Sequence, residues 1–337
     1  MAARHFGLDI GRSFIKVVEV GSAGNEKLLK SAAFALTPQG GMETESQTDL
    51  EKISQEIKSC VKKAKIGTDN CVVSLIESQV VTRLIELPTL TDKELSAAIN
   101  WEAEQYIPLP IKDVSLQYKV VNPTTASGKM EVLLTAAPNR VIEKYLKVIK
   151  SAGFNVVALE PESAAITRGL TNPGDPATII VSLGAISTEF IIAAGQNSLF
   201  SRSIATGGST LTRAIMAEFN LPQTQAEQYK QSYGILEDKL SGKIAAILKP
   251  ILDIIATEIL KAVEFAHSHV SVSQIARVVI TGGGAFMPGF PEFLVGRTNL
   301  EVSLGDPWAN FKKEGIISNL AGQGSLYSVA TGLAIWH

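Results

Sequence analysis

The sequence predicts an α/β protein built from two similar halves that enclose a cleft. Its 337 residues suffice for two domain cores at about 150 residues per domain. A strand, a glycine turn and a second strand occur near the N-terminus, and the same pattern returns around residue 180. A third glycine cluster follows an apolar strand near residue 280, so glycine punctuates strand ends in both halves.

Composition and charge exclude several classes of function. With 31 basic and 33 acidic residues the net charge is −2, which leaves no overall basic surface for a nucleic acid. No uncharged apolar run reaches the roughly 18 residues of a membrane span, and the N-terminus lacks the apolar core of a signal peptide. We therefore expect a cytoplasmic protein without direct membrane insertion and without a nucleic-acid partner. The sequence also lacks the serine-hydrolase elbow, the P-loop and the zinc-protease motif.

The first hairpin lies at the N-terminus. Apolar residues alternate over 6–10, with Asp9 near the strand end, and the turn Gly11-Arg12-Ser13 leads into a second strand over 14–20. In the second copy, Ser182-Leu183-Gly184 stands where Asp9-Ile10-Gly11 stands in the first. A glycine turn between extended strands exposes consecutive backbone N–H groups that bind anions. Two such turns facing each other would hold a polyphosphate.

The third glycine cluster, Gly282-Gly283-Gly284, follows the buried strand Val278-Val279-Ile280. Glycines at a strand end let a flat ligand approach the backbone closely. Each of the three clusters alone also fits an ordinary structural turn. Their order and spacing together indicate a nucleotide site.

The three segments resemble the nucleotide motifs of the actin-like ATPases and occur in that family's order. LDIGRSFIK resembles the first phosphate motif, VSLGAIST the second and VVITGGGAFMPGF the adenosine motif. The resemblance implies the actin-like ATPase fold, an α/β fold of two RNase H-like halves around a nucleotide cleft. The segment 85–118 and the run AAPNRVIEKYLKVIKSAGFNVVALEPESAA further resemble PilM, in the PilM and FtsA branch. That branch carries an extra α/β subdomain inserted in the first half.

The inserted subdomain is expected over about 84–155. Thr91 and Glu94 have the spacing of a capping box, which predicts a helix that starts at Asp92 and ends before Pro108. The apolar spacing along this helix predicts a buried stripe of Leu95, Ile99, Ala103 and Tyr106. The remaining predicted elements are strands over 113–121 and 130–137 and a helix over 138–153.

The polar run 171–176 is the best boundary between the halves. We expect a first actin-like half over 1–172 and a second over 173–321. A C-terminal helix over 322–337 would return to the first half, as the resemblance implies. Within the second half we predict strands over 178–202, a helix after the Gly207-Gly208 turn and a helical segment over 223–270.

The resemblance assigns ATP and Mg²⁺ as cofactors and gives roles to residues of the motifs. Asp9 would hold Mg²⁺ through water molecules, and Lys16 matches the lysine that binds phosphate. Glu227 and Lys230 lie in an AExxK pattern whose members would contact the nucleoside, although their spacing also fits an ordinary surface ion pair. The other cofactor-binding candidates are the turn residues Gly11, Arg12, Ser13, Gly184, Ala185, Ile186, Ser187, Gly282, Gly283 and Gly284.

The sequence departs from the family's pattern at two positions. Ser182 stands where the family has an acidic residue that opens the second phosphate motif, and Ser209 stands where relatives often carry Asp. A hydroxyl cannot replace the charge of a carboxylate near Mg²⁺. Glu162 is the catalytic candidate, at the place where the family positions an attacking water. We therefore expect nucleotide binding with weak or absent ATP hydrolysis.

The PilM resemblance implies an ATP-binding adaptor of a type IV pilus assembly machine. Such a protein would hold the N-terminal cytoplasmic tail of a PilN-like membrane protein between its first half and the inserted subdomain. It would link that partner to pilus motor proteins, and self-association stays open. Trp101 lies off the buried stripe of its helix and is the candidate partner contact. The alternative is that Trp101 only packs the subdomain against the first half.

Two other functions stay open. A sugar or acetate kinase of the same superfamily would need a polar acceptor loop, and none is visible beside Asp9 or Ser182. An FtsA-like cell-division protein would carry an amphipathic membrane helix at its end, whereas this sequence closes with Trp336-His337.

Overall fold

The computed structural model describes residues 4–24, 26–125, 127–269, 274–312, 315–320 and 322–336. Up to residue 170 the strands are β1 (Phe6–Ile10), β2 (Phe14–Ala23), β3 (Glu26–Leu36), β4 (Asn70–Leu75), β5 (Val81–Pro88), β6 (Val114–Asn122), β7 (Lys129–Pro138) and β8 (Asn155–Pro161). The helices of this part are α1 (Gln47–Ala64), α2 (Asp92–Ala103), α3 (Asn139–Ala152) and α4 (Glu162–Leu170).

The rest of the chain adds a second set of strands and helices. Its strands are β9 (Thr178–Leu183), β10 (Thr188–Ala194), β11 (Asn197–Ile204), β12 (Arg277–Thr281) and β13 (Val302–Leu304). Its helices are α5 (Gly208–Phe219), α6 (Gln223–Tyr233), α7 (Lys243–His269), α8 (Phe290–Thr298) and α9 (Ser328–Ala334). No helix in the described ranges is long and apolar enough to cross a membrane.

Two five-stranded sheets of identical topology form the scaffold. The first has the strand order β3-β2-β1-β4-β8 and the second the order β11-β10-β9-β12-β13. In each sheet the first three strands in sequence are antiparallel, and the last two run parallel to the first. The same topology built twice confirms the duplicated fold predicted from the glycine motifs.

The central strand β1 is buried along its whole length because helices cover both faces of its sheet. On one face, Phe6 and Leu8 pack with the apolar sides of α1 and α3. On the other face, Gly7 lies against α9, where an added Cβ would stand 2.0 Å from the carbonyl oxygen of Ala330. The C-terminal helix therefore approaches β1 at a distance that only glycine permits.

The segment after β13 also crosses back to the first sheet. Trp308 and Tyr327 form one apolar cluster with Val18 of β2 and Leu29 of β3. The Trp308 indole N–H donates to the hydroxyl of Thr331 at 3.0 Å, which ties this segment to α9. The domain limits at residues 172 and 321 stay predictions. The limits of the C-terminal helix over 322–337 also stay a prediction, and residues 321 and 337 lie outside the described residues.

The insertion between β4 and α3 forms a three-stranded antiparallel sheet of order β5-β7-β6 covered by α2. Its capping box is present: the Thr91 hydroxyl accepts from the Glu94 amide, and the Glu94 carboxylate accepts from the Thr91 amide. Lys119 of β6 donates to the Asn197 side chain at 2.7 Å, so the insertion also contacts the second half.

The prediction that Tyr106 belongs to the buried stripe of α2 is wrong. Leu95, Ile99 and Ala103 are buried, but Tyr106 is 41% exposed. The helix ends at Ala103, and the amides of Tyr106 and Ile107 both fold back to its carbonyl oxygen. This tight end turns Tyr106 outward and leaves the buried position to Ile107.

The helix α3 contributes to a different core from that of α2. Its buried side chains, Tyr145, Val148 and Ile149, pack against the first large sheet and α1. Gly153 caps its C-terminus in the left-handed conformation, as the sequence predicts. The expected limits of the inserted subdomain, 84–155, stay a prediction.

The helical segment predicted over 223–270 is two helices, and Val270 lies outside the described residues. The break follows α6 at Gly234, whose φ is +50° and whose added Cβ would lie 2.2 Å from the carbonyl oxygen of Pro288. Glycine is required there because the chain turns sharply against the 288–289 segment. The long helix α7 then covers the second large sheet.

Candidate nucleotide-binding cleft

A cleft of about 1230 Å³ lies between the two halves. The β1–β2 turn, the β9–β10 turn and the third glycine cluster all face it, together with α4, α5 and α6. The structure brings together there every cofactor-binding and catalytic candidate from the sequence: Asp9, Gly11, Arg12, Ser13, Lys16, Glu162, Gly184, Ala185, Ile186, Ser187, Glu227, Lys230, Gly282, Gly283 and Gly284. Trp101 lies apart from the cleft on α2 and is 67% exposed.

The two phosphate-motif turns use one amide each to close themselves. The Gly11 N–H donates to the carbonyl oxygen of Phe14 at 3.1 Å, and the Gly184 N–H donates to that of Ser187 at 3.0 Å. The Thr37 hydroxyl donates to the Gly11 carbonyl oxygen at 2.7 Å and holds the first turn in place. These two glycine amides are therefore taken, and the expectation of phosphate binding rests on the residues that follow each glycine.

Asp9 and Lys16 form the charged floor of the first half. They pair across β1 and β2, and the Lys16 Nζ lies 2.7 Å from the Asp9 Oδ2. Asp9 is only 1% exposed, and its second oxygen, Oδ1, is buried without a hydrogen-bond partner among the described residues. A buried carboxylate oxygen without a donor is costly unless a ligand supplies positive charge.

The start of α5 packs against the second turn. The Gly208 and Ser209 amides donate to the carbonyl oxygens of Gly184 and Ala185 at 2.9 and 2.8 Å. An added Cβ at Gly207 would lie 2.7 Å from the Ala185 carbonyl oxygen, so glycine permits this contact. Ser209 thus meets the second phosphate turn through its backbone, and its side chain lines the cleft.

The AExxK pair connects α6 to α5. The Lys230 Nζ donates to the Glu227 Oε2, the Thr212 Oγ1 and the Gly208 carbonyl oxygen at 2.8, 2.9 and 3.0 Å. All three N–H donors of the lysine are therefore committed within the protein. Burial opposes ionisation of Glu227, but hydrogen bonds from Lys230 and Thr212 outweigh it and lower the Glu227 pKa. The ionised Glu227 is the part of this pair with side-chain surface to offer a ligand.

The three glycines of the third cluster have different roles. Gly282 has a φ of +83°, and added Cβ atoms at Gly282 and Gly284 would lie 2.7 and 2.3 Å from atoms of Leu183. These two glycines let the turn pack against the end of β9. An added Cβ at Gly283 would meet only one side-chain atom, at 3.9 Å, so this residue leaves room for a flat ligand.

Buried carboxylates from both halves surround the cleft floor. Burial, followed by the charges of Glu189 and Asp9, raises the Glu162 pKa well above its ordinary value. Burial likewise raises the Glu189 pKa to about 7, against hydrogen bonds from Ser187 and Ser182. Lys16 opposes the shift at Glu162. The clustering of these carboxyl groups favours either their protonation or a bound cation at this floor.

Glu77 joins the two halves beneath the cleft. It follows β4, at the entry to the insertion, and its Oε2 accepts from the Ser163 amide of α4 at 3.0 Å. Its Oε1 accepts from the Ser201 hydroxyl on β11 of the second half. Its own amide donates to Glu162 Oε2 at 3.4 Å. Burial raises the Glu77 pKa, although the bonds from Ser201 and Ser163 oppose that rise.

Sequence reasoning missed Glu189 and Glu77. The signal for Glu189 is present, because a hairpin that pairs Leu183 with Thr188 must also pair Ser182 with Glu189. No local signal identifies Glu77, since its partners lie 86 and 124 residues away.

The residues present fit a nucleotide and its divalent cation. The cleft is larger than the 300 to 1000 Å³ or so of typical small-molecule sites, and Gly283 leaves room for a flat ring. The unpartnered Asp9 Oδ1 fits a hydrated cation. No group of three or more His, Cys, Asp or Glu side chains in the described part of the chain forms a metal site by itself.

Comparison with solved structures first defines the class of protein. MreB5 of Spiroplasma citri bound to AMPPNP superimposes with a TM-score of 0.56 at 14% identity, over 98% of this chain and 95% of that one. The two matching sheets and the cleft between them are thus those of the actin-like ATPase fold, which confirms the predicted fold class.

The particular family follows from closer comparisons. The chain belongs to the type IV pilus assembly protein PilM family, whose model matches residues 7–337. The structure described as "PilM-PilN type IV pilus biogenesis complex" matches with a TM-score of 0.85 and 28% identity, over 99% of this chain and 98% of that one. The predicted resemblance to PilM is confirmed.

A second group of relatives matches a shorter part of the chain. Ethanolamine utilization protein EutJ of Salmonella typhimurium is 28% identical over 160 residues, which are 44% of this chain and 50% of EutJ. The chain spans about half the length of the curated relatives it matches.

Proposed function

We propose that this protein is a nucleotide-binding adaptor of a type IV pilus assembly machine. The observation that carries the nucleotide part is the convergence of three sequence-distant glycine motifs on one cleft. Membership of the PilM family supports the assembly role. The related PilM-PilN complex supports a PilN-like membrane protein as the partner.

The cleft residues bind and orient a nucleotide in this proposal. Lys16 contacts the phosphates as a point charge, and the turn amides beyond Gly11 and Gly184 face their oxygens. Gly283 and Glu227 face the nucleoside. Asp9 would hold Mg²⁺, which would neutralise charge on the phosphates when bound.

Hydrolysis of the bound nucleotide is slow or absent in this proposal. Ser182 carries no charge where the family's acidic residue would orient metal and water. In the metal-free protein, burial and the surrounding carboxylates raise the Glu162 pKa, which disfavours the ionised form that a general base requires. We expect phosphate release far below the roughly 10 per second of a typical enzyme.

The adaptor part rests on the insertion. The N-terminal tail of a PilN-like protein would lie between the insertion and the first half, and Trp101 would contact it. The large exposed ring of Trp101 supports this, because an exposed aromatic side chain is typical of interaction surfaces. Pilus motor proteins and a second copy of this chain are further proposed partners.

The experiment titrates the intact protein with ATP in the presence of Mg²⁺ by calorimetry and, separately, with a PilN-like N-terminal peptide. Saturable binding of both supports a nucleotide-binding adaptor. Absence of ATP binding would overturn the nucleotide part. Absence of peptide binding, with ATP binding intact, would overturn the adaptor part and favour a kinase of the same fold, to be tested by phosphate transfer to sugars and acetate.

A further inference from the structure

The two hairpins at the cleft floor have the same register. Asp9 pairs with Lys16 across β1 and β2, and Ser182 pairs with Glu189 across β9 and β10. Glu189 therefore occupies in the second half the place of Lys16 in the first. The second hairpin therefore has its carboxylate, Glu189, on its second strand, directly opposite Ser182 on the first.

The Glu189 side chain is held toward the cleft. It is 5% exposed and lines the cleft wall, and the Ser187 hydroxyl donates to its Oε1 at 2.6 Å. The charges of Glu189 and Asp9 both act on Glu162. Carboxylates from opposite halves thus meet in one region of the cleft floor.

A second observation is a buried acceptor in this region. Lys16 contacts the Asp9 Oδ2, and no described residue donates to the buried Oδ1. Asp9 and Glu189 both line the same cleft. A cation bound there would compensate a carboxylate oxygen that is held out of water without a donor.

We propose that Glu189 supplies the second half's carboxylate to the divalent cation of a bound nucleotide, in place of the acid missing at Ser182. The inference rests on the proposed nucleotide binding and assigns the cation to residues of this chain. Two carboxylates, Asp9 and Glu189, suit Mg²⁺, whose other ligands are water and phosphate oxygens. The charge then comes from the second strand of the hairpin, so position 182 itself still lacks the acid that would orient metal and water.

The test measures how strongly nucleotide affinity depends on the metal. ADP is titrated into the full chain by calorimetry, once in excess Mg²⁺ and once in EDTA. Glu189→Gln, which keeps the shape of the side chain, should reduce the ratio of the two affinities by at least about tenfold. The affinity in EDTA should not fall, because the nucleotide alone gains nothing from this carboxylate.

Two further variants sharpen the test. Glu86→Gln removes a half-exposed carboxylate of β5 that does not line the cleft and should keep the ratio of the intact protein. Ser182→Asp combined with Glu189→Gln moves the carboxylate across the strand pair and should restore much of the lost ratio. Mn²⁺ titration followed by electron paramagnetic resonance, with ADP present, gives a readout independent of calorimetric heats.

The outcomes separate the two levels of the proposal. If the ratio of the ADP affinities in Mg²⁺ and in EDTA is the same for Glu189→Gln as for the intact protein, the role of Glu189 is overturned and nucleotide binding stays intact. Absence of ADP binding in both buffers overturns the proposed function itself. If Glu189→Gln alone unfolds, the double variant decides, and a Mg²⁺ ratio that stays lost in that folded protein overturns the inference.

Discussion

At the scale of single residues, the cleft depends on a few charges whose partners are fixed by hairpin register. Lys16 is paired with Asp9 at 2.7 Å and lines the cleft. The lysine donors of Lys230, by contrast, are all used inside the protein. The sequence assigns both lysines to the nucleotide. In the structure Lys230 has no donor left for it, whereas Lys16 is paired with Asp9.

Lys16→Met should weaken ATP binding about 10- to 150-fold, since a hydrogen bond to a charged group contributes roughly 1.5 to 3 kcal/mol. Titration calorimetry of the variant beside the intact protein measures the change. Lys147→Ala, on the solvent side of α3, serves as the matched control and should bind like the intact protein. Equal affinities for Lys16→Met and the intact protein would contradict the role of Lys16.

Trp101→Ala should weaken binding of a PilN-like N-terminal peptide at least about tenfold, as expected of a modest interface hot spot. The melting temperature should stay unchanged, because Trp101 is 67% exposed and outside the core of the insertion. Fluorescence anisotropy of a labelled peptide measures the affinity. Ile254→Ala, an exposed residue of α7, is the control. Full affinity in Trp101→Ala would remove this residue from the partner surface.

At the scale of elements, some helices are determined by local sequence signals and others by contacts with distant residues. The helix α2 begins at a complete capping box and covers a small sheet of its own. The helix α9 has seven residues and depends on close packing, since an added Cβ at Gly332 would lie 1.8 Å from the Ala165 carbonyl oxygen. The first helix is encoded locally, whereas the second is stabilised by its neighbours.

Thr91→Ala should lower the free energy of unfolding by about 0.5 to 2 kcal/mol, because the amide of Glu94 loses its acceptor at the start of α2. Thr91→Ser keeps the hydroxyl and should cost much less. Urea denaturation of both variants, followed by circular dichroism, measures the difference. Equal losses in the two variants would show that the methyl group of Thr91, rather than its hydroxyl, stabilises the helix start.

At the scale of the whole molecule, the halves meet through a buried carboxylate. Glu77 accepts hydrogen bonds from Ser163 in the first half and Ser201 in the second. Its backbone also touches Glu162, so the entry to the insertion, the cleft floor and the second half share one contact.

The stability of the metal-free protein should fall as pH rises above about 4.5, in part through Glu77. Burial raises the Glu77 pKa in the folded state, so above the unfolded pKa the folded state binds more protons than the unfolded chain. Unfolding then releases a proton, and higher pH favours it. Glu162 and Glu189 face the same region and titrate in the same direction.

The comparison of Glu77→Gln with the intact protein isolates the contribution of this one group. The glutamine keeps an acceptor for the Ser163 amide but does not titrate, so its stability should fall less between pH 5 and pH 7.5 or so. Urea denaturation at the two pH values measures both proteins. An identical loss in the two proteins would show that Glu77 does not contribute to the pH dependence.

The sequence by itself determined the duplicated fold, the three glycine motifs, the capped helix α2 and the family. The duplicated hairpins, the glycine motifs and α2 depend on local patterns, such as alternation, turn glycines and caps, which act over a few residues. The family follows from the resemblance of several segments to PilM. It failed at Tyr106, where the helix ended earlier than its apolar spacing indicated, and it joined α6 and α7 across the turn at Gly234.

Only the tertiary structure decided which of the candidate residues are available to a ligand. It committed the amides of Gly11 and Gly184 to their own turns and the donors of Lys230 to α5. It also brought Glu189 to the cleft wall and Glu77 to the contact between the halves beneath the cleft. The physical reason is that burial and partners at long sequence separation set the charge and freedom of a side chain, and no local pattern encodes them.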